Sequence, residues 1–349
     1  MKISFNIPTY NRAKFLKKNL NILATQIIEL HKENEVEINI SDNASRDDTK
    51  SISEAFIPAY PQLHVSYHCN EKNLGPDGNF ITAMHLAKGE YSLLWGDDDF
   101  LKEGGLARIF ELVEYGENKG IQIMMSSTSV CDSKGRFLFN KNFLREDIKE
   151  AIVDFSDVNE RRSYFFLLSD MGGMLSFISD VIYKTSIIQN RSFDKDFLGT
   201  HYAFLYYWWG WLLKGNKLYY SNQSFLYETY QFQPAYGVGI DRMMVDYNGY
   251  LLIANKLISD ECLRIDFLSA FQRLHSLYNL ITEIDSERYK FKNVLLPALK
   301  ECGFTDKDIT DLYNFCSTKN QVKRLLHKIL PYEYINKIRK VLMKMKLYI

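Results

Sequence analysis

In Tyr91-Ser92-Leu93-Leu94-Trp95-Gly96-Asp97-Asp98-Asp99 a short apolar run ends in three consecutive acids. An apolar run of this length bounded by a turn signal reads as a buried strand, which puts the triplet at its carboxyl end. Adjacent carboxylates repel by about 1 kcal/mol per pair at ~4 Å even in bulk water, so a cation is expected among them. Alternation along an extended strand sends Asp97 and Asp99 to one side and Asp98 to the other. Two hard oxygen ligands on one side suit Mg2+ or Mn2+, which fill their remaining positions with water and phosphate oxygens. The competing reading is a solvated acidic turn.

Upstream of this run, short apolar stretches alternate with helical patterns, the rhythm of stacked strand-helix units around a mostly parallel sheet. Ile3 to Ile7 is a strand that Pro8 and Asn11 end, and Phe15, Leu16, Leu20, Leu23, Ile27 and Leu30 recur near the helical period. Val36 to Ile40 is a second strand, and Asp47, Asp48 and Thr49 start a helix after it. Leu63 to His68 is a third strand, Asn70 to Gly78 a loop, Phe80 to Ala87 a helix and Tyr91 to Trp95 a fourth strand. In an open sheet of this kind ligands gather beyond the carboxyl ends of the strands. Pro8 to Arg12, Ser41 to Asn43, Asn70 to Asp77 and Gly96 to Asp99 should therefore converge. Further along, a hairpin is expected through Ser133 to Arg136, a helix near Ser163 to Ser169 and a strand around Ser176 to Tyr183. An aromatic helix should run from His201 to Leu213, a loop from Tyr227 to Gly239, and mostly helix from Arg242 to Leu299. The expected domains are 1–230, an α/β core; 231–318, a helical extension with a loop; and 319–349, a basic amphipathic helical tail.

The chain has 349 residues, 46% hydrophobic and 14% aromatic, which excludes disorder and allows a sizeable core. Formal net charge is zero, yet residues 319–349 carry nine Lys and Arg against the single acid Glu333. In this tail Val322, Leu325, Leu326 and Ile329 share one helical face, as do Ile338, Val341, Leu342 and Met345, with Pro331 between the two segments. Two readings stay open: the tail lies on an anionic membrane, or it packs on protein. No nucleic-acid reader motif accompanies the charge, so nucleic acid is not an expected partner. The five cysteines form no C-x-x-C pair and no zinc spacing, which points to buried thiols in a reducing compartment. The first residues enter a strand without the pattern of a secretory signal, and the longest strongly apolar run, Phe204 to Leu213, is too short to span a bilayer. A cytoplasmic protein is expected, peripheral on the inner face of the plasma membrane if the tail binds lipid.

The strand ends supply what a nucleoside diphosphate requires. An acid such as Asp42 can accept a pyrimidine N–H, Tyr10 can stack on a ring, and the Arg12 fork can neutralise phosphate. Each has a plain structural reading too: Asp42 as a turn or cap residue, Pro8 as a strand terminator, Arg12 as an exposed helix start. Taken together, Ile7-Pro8-Thr9-Tyr10-Asn11-Arg12, Ser41-Asp42-Asn43-Ala44-Ser45-Arg46-Asp47-Asp48-Thr49, Asn70-Glu71-Lys72-Asn73-Leu74-Gly75, and Gly89-Glu90-Tyr91 leading into Asp97-Asp98-Asp99 resemble glycosyltransferase family 2. Within it, the Gly-Asp-Asp-Asp form is similar to that of abequosyltransferase-like bacterial members. The resemblance covers residues 1–115, and 116–230 more loosely.

It implies the GT-A fold, a Rossmann-like α/β sheet flanked by helices with a C-terminal helical extension. It implies inverting, metal-dependent transfer of a sugar from a nucleoside diphosphate donor to a saccharide or lipid-linked saccharide in surface-polysaccharide assembly. By the same resemblance Pro8, Thr9, Tyr10, Arg12, Asp42, Asn43, Asn73, Gly75, Asn79, Asp97 and Asp98 bind the donor, and Asp99 with Asp97 holds Mn2+ or Mg2+. Many members read Asp-x-Asp-Asp, which places Gly96 where the first acid would stand and leaves open whether the working pair is 97 and 99 or 98 and 99. Members often carry an acidic pair at a helix start in the second half; here that place reads Gly199-Thr200-His201-Tyr202. His201 is then the candidate base or a third metal ligand, since an imidazole titrates near neutrality. Asp180, Asp170 and Asp196 are rivals. Trp208, Trp209 and Trp211 read as helix-packing residues rather than a sugar platform. A sugar-nucleotide-binding or scaffolding protein without catalysis is the alternative, argued by the absent acidic pair.

Overall fold

The computed structural model describes residues 1–132, 135–229, 239–274 and 291–310. Contacts divide the chain into two compact units, Met1–Phe232 with Leu252–Arg264, and Gln233–Leu251 with Ile265–Ile349.

The first unit opens with β1 (Ile3–Thr9), α1 (Ala13–Glu29), β2 (Val36–Asp42), α2 (Thr49–Ala59), β3 (His64–Cys69), α3 (Gly75–His85) and β4 (Tyr91–Leu94). All seven residues of β1 are buried. Its odd positions Ile3, Phe5 and Ile7 join Leu16, Leu20 and Leu23 of α1 and Ile38 and Ile40 of β2 in the main apolar cluster. Burial of each such side chain contributes about 1.5–3 kcal/mol. The even positions are polar and face the other way. There Ser66 Oγ donates to Asn39 Oδ1, Asn39 to Asn6 Oδ1, and Asn6 to the Leu93 carbonyl, a buried row crossing the strands. Phe15 and Leu30, expected on the apolar face of α1, are 37% and 38% exposed: Phe15 lies off the buried arc, and Leu30 stands past the helix end as its C-cap.

Two boundaries differ from expectation for backbone reasons. Pro8 does not end β1, which pairs with β2 through Thr9 opposite Asp42. Pairing with β4 stops at Asn6 opposite Leu94, so the missing Pro8 N–H faces no ladder partner on that side. Helix α3 begins at Gly75 rather than Phe80, with Pro76 and Asp77 in its first turn, where proline costs no hydrogen bond.

There follow β5 (Phe100–Leu101), α4 (Gly105–Lys119), β6 (Ile123–Ser126), β7 (Thr128–Cys131), β8 (Phe137–Lys141), β9 (Glu150–Asp154), α5 (Val158–Leu167), β10 (Val181–Lys184), α6 (Ser186–Gln189), α7 (Leu205–Leu212), β11 (Lys217–Ser221) and β12 (Leu226–Thr229). The main sheet runs β3-β2-β1-β4-β10-β6-β11-β9, and a second runs β5-β12-β7-β8. Strands β1 to β4 are parallel, β10 lies antiparallel between β4 and β6, and β11 returns parallel to β6. The expected hairpin is β7 paired antiparallel with β8. Residues 227–229, expected in a loop, belong to β12, which is paired with β5 and β7. Residues 230–238 of that loop and the whole basic tail lie outside the described residues.

Helices α8 (Gly239–Leu257), α9 (Glu261–Leu274) and α10 (Leu296–Glu301) complete the chain as described. Within the second unit the Tyr250 and Phe271 rings stack at 4.9 Å, and Tyr247 meets Phe271 edge-on at 5.0 Å. Among the described residues no helix is long and apolar enough to cross a membrane. Cys131 and Cys302 are buried, whereas Cys69 and Cys262 are exposed, contrary to the expectation of buried thiols throughout; all four are free.

Candidate functional site

The acidic triplet sits on a turn, not on the strand: β4 ends at Leu94 and the Asp99 N–H donates back to the Gly96 carbonyl at 3.3 Å. The expected alternation is therefore lost. Asp97 and Asp98 both face Arg12, at 3.3 Å from Nε and 2.5 Å from Nη2, while Asp99 turns toward Ser179, whose hydroxyl donates to it at 2.6 Å. Thr9 Oγ1 also donates to Asp97, at 2.7 Å. Arg12, expected on phosphate, thus supplies the first cation among the acids. Tyr10 is 41% exposed at the rim.

Gly96 is held from both sides, its N–H donating to Ser179 Oγ at 2.8 Å and its carbonyl accepting from Asn19 at 2.9 Å. A Cβ at this position would lie 2.5 Å from Asp99 Oδ2. An acid at 96 would have to displace the Asp99 carboxylate.

The end of β2 and the start of α3 form a polar clamp. Asn43 Nδ2 donates to Asn73 Oδ1 (2.9 Å) and the Gly75 carbonyl (3.1 Å), and its Oδ1 accepts from Leu74 N–H (2.8 Å). Gly75 takes φ +74°, a conformation glycine adopts without a steric cost. Buried Asn79 accepts from Ser41 Oγ at 2.7 Å and donates to its carbonyl at 2.9 Å. Asp42 accepts from Ser45 N–H (2.9 Å) and the Tyr67 hydroxyl (2.7 Å), the arrangement of a turn acid. Burial and that bond hold the Tyr67 phenol above its ordinary value, so Tyr67 remains a donor.

Behind Asp99 lies a group of charges that the sequence does not announce. Lys141 of β8 contacts both oxygens of Glu228 in β12 at 2.9 and 3.1 Å, and Thr128 Oγ1 donates to Glu228 at 3.0 Å. Asp180, just before β10, is fully buried, and neither of its carboxyl oxygens has a hydrogen-bond partner among the described residues. Burial holds its carboxyl well above the usual range; Lys141 opposes this, and Glu228 and Asp99 add to it. Burial, then the Asp98 charge, does the same to Asp99. Burial pushes Asp97 up to about 7 against the pull of Arg12.

Asp97, Asp98 and Asp99, the first and last of them buried, offer hard oxygen donors of the kind a divalent cation takes. Among the described residues no three His, Cys, Asp or Glu side chains stand in a metal-holding arrangement.

His201 adopts φ +62° in the segment before α7, and its N–H donates to Asp77 at 2.8 Å. Two of the other candidate acids are bonded within the protein. Asp170 caps the turn Met171–Met174 by accepting from Gly172 N–H at 2.8 Å, and Asp196 pairs with Lys256. Asp180 is sealed from solvent. Trp208 and Trp209 are fully buried, Trp209 Nε1 donating to the Met174 carbonyl at 3.1 Å. Sequence reasoning missed Ser179, Lys141, Glu228, Tyr67 and Asp77. Only Asp77 left a local signal, the Gly-Pro-Asp of a helix start.

Residues 4–157 match the family described as Glycosyl transferase family 2. The chain is 32% identical over 207 residues to the abequosyltransferase RfbV of Salmonella typhimurium, covering 59% of this chain and 60% of that relative, less than two thirds of its length. It is 25% identical over 261 residues to a Campylobacter jejuni GalNAc(5)-diNAcBac-PP-undecaprenol beta-1,3-glucosyltransferase, covering 74% of this chain and 75% of the other. The structure of S. aureus TarS 1-349 in complex with UDP superposes with a TM-score of 0.61 at 20% identity, over 86% of this chain and 80% of that one.

Proposed function

We propose that this chain, whose residues 4–157 belong to glycosyl transferase family 2 and whose fold is GT-A, transfers a sugar from a nucleoside diphosphate donor to a saccharide or lipid-linked saccharide of a bacterial surface polysaccharide. The observation that carries the reading is the gathering of Thr9, Arg12, Asp97, Asp98 and Asp99 beyond the carboxyl ends of β1 and β4, where an open α/β sheet binds ligand.

In this reading the clamp of Asn43, Asn73 and Gly75, with Pro8, Tyr10, Asp42 and Asn79 around it, seats the nucleoside. Arg12 can exchange its carboxylate partners for phosphate oxygens through the same fork of donors. Asp97 and Asp99, with Asp98 beside them, would hold Mg2+ or Mn2+, which supplies positive charge next to a departing diphosphate. The acceptor oxygen attacks the anomeric carbon from the face opposite the diphosphate. The bond from that carbon to the diphosphate oxygen breaks, and the electron pair leaves with the nucleoside diphosphate. His201 takes the acceptor proton.

The test is a panel of UDP-, dTDP-, CDP- and GDP-sugars with and without Mn2+, read by thermal shift and by release of nucleoside diphosphate with a saccharide acceptor. One donor should stabilise the protein only with metal and turn over, and His201→Ala should cut turnover while leaving that stabilisation intact. Stabilisation without turnover by the unaltered protein would favour the binding or scaffolding alternative. No stabilisation by any donor would overturn both.

A further inference from the structure

Asp77 is 3% exposed, and its carboxylate accepts three backbone N–H groups from one distant segment: Gly199 (2.7 Å) and His201 (2.8 Å) at Oδ2, and Ala203 (3.0 Å) at Oδ1. That segment has an unusual backbone. Gly199 takes φ +90° and His201 +62°, and a non-glycine residue at positive φ persists only where its surroundings hold it. Thr200 holds the same turn from within, donating to the Phe197 carbonyl at 2.8 Å and accepting from Tyr202 N–H at 3.1 Å. Phe80 of α3 meets Phe204 edge-on at 5.9 Å just beyond the clamp.

The other end of the same helix turn is the donor-side clamp. Gly75, two residues before Asp77, gives its carbonyl to Asn43 at 3.1 Å and its N–H to Asn73 at 2.8 Å. One turn of α3 therefore joins the loop assigned to the donor with the backbone that presents His201. Hydrogen bonds from backbone N–H to an ionised carboxylate are short and directional, so they fix position rather than merely fill space. A buried carboxylate with three donors of this kind is also fully satisfied and has no need of a substrate contact.

We propose that Asp77 is a positioning residue for the transfer reaction, holding the His201 backbone in its left-handed conformation and setting the distance between donor loop and acceptor base. The proposal rests on the reading of His201 as that base. Asp77→Asn keeps the side-chain shape but turns one acceptor into a donor facing N–H groups. With the base displaced, kcat should fall about a hundredfold, while the donor KM and metal-linked thermal shift stay within twofold. In a His201→Ala background the same substitution should change kcat less than twofold, because the group it positions is gone. The ring resonance of His201, assigned by its loss in His201→Ala, should move in Asp77→Asn, a readout that needs no turnover. Asp77→Ser, which keeps an oxygen acceptor in a smaller volume, gives the same measurements where the Asn protein does not fold.

Equal kcat losses with and without His201, or an unmoved ring resonance in a folded Asp77 variant, would overturn the proposal. If His201→Ala retains full kcat, the base assignment fails, and the ring resonance alone then decides whether Asp77 places His201.

Discussion

The two ends of the central sheet both bury acids, but they treat them differently. At the amino end Glu37 is 6% exposed, and its Oε1 accepts from Ser4 Oγ (2.5 Å), Lys88 N–H (2.6 Å) and Gly89 N–H (3.0 Å). At the carboxyl end Asp97 and Asp99 are just as buried and carry raised carboxyls, and Asp180 has no hydrogen-bond partner among the described residues. A buried carboxylate with donors built around it is architecture. A cluster of buried acids left with more negative charge than the protein offsets is costly to keep, and such clusters mark sites that act on something else. Asp77 is instructive because it lies at the carboxyl end yet is satisfied as Glu37 is.

The contrast breaks most readily at Asp99. Asp99→Ala should lower turnover by about 10²–10³-fold and leave the melting temperature unchanged or higher, since it removes an acid that burial disfavours. A large loss of stability would move Asp99 to the architectural side. Glu37→Leu should do the reverse. Leaving buried N–H groups without an acceptor costs roughly 1–3 kcal/mol of unfolding free energy, read as a lower urea midpoint, while kcat per folded molecule stays the same.

A smaller loss is expected at Asp47, a satisfied acid near the active end that accepts from Ala13 N–H at 3.0 Å and from Thr49 N–H at 3.1 Å. Asp47→Ala removes a bond to the first residue of each of two helices and should cost about 1 kcal/mol in chemical denaturation. The bonds from Thr49 and Ala13 outweigh burial and hold this carboxyl below its ordinary value. Its contribution should be present at neutral pH and fade as the solution is acidified through that lowered value.

The most informative sign belongs to Asp180→Asn. Folded Asp180 keeps its proton at pH values where the unfolded chain has lost it, so its contribution to stability is complete below the usual aspartate range and declines as the pH rises. The amide does not titrate. Its stability relative to the parent should therefore improve between pH 4 and pH 8, and a gain that shrinks with rising pH would show Asp180 to be an ionised, compensated residue.

What was legible in the sequence follows from the range of the interactions. Apolar runs and periodicity placed β1 to β4 and α1, and the start signals Asp47, Asp48 and Thr49 placed α2. Periodicity misjudged the start of α3, where Gly75 and Pro76 read as loop punctuation although both suit a first helical turn. It also gave the acidic triplet a strand geometry that ends at Leu94. Of the second sheet only the β7-β8 hairpin was legible, because β5 has two residues and β12 is defined by partners in β5 and β7 rather than by any pattern of its own. In the site, the meeting of the β1 and β4 ends followed from the expected sheet, as Thr9 and Arg12 against Asp97 and Asp98 show, whereas distant partners outside that frame had no signal. Ser179 meets Asp99 across 80 positions and Asp77 meets His201 across 124, and no local signal reports such pairs.

Strand β10 runs against its neighbours β4 and β6. Its beginning, not its end, consequently lies beside the acid-bearing turn, which is how Ser179 reaches Asp99 and Gly96. The exit of β10 is at the opposite pole, where Thr185 N–H bonds the Glu90 carbonyl at 2.9 Å. Lengthening the chain ahead of Ser179 would therefore remodel the chemistry, whereas a graft immediately after Lys184 would emerge on the far side. One reversed strand thus separates where this scaffold can be altered from where it cannot.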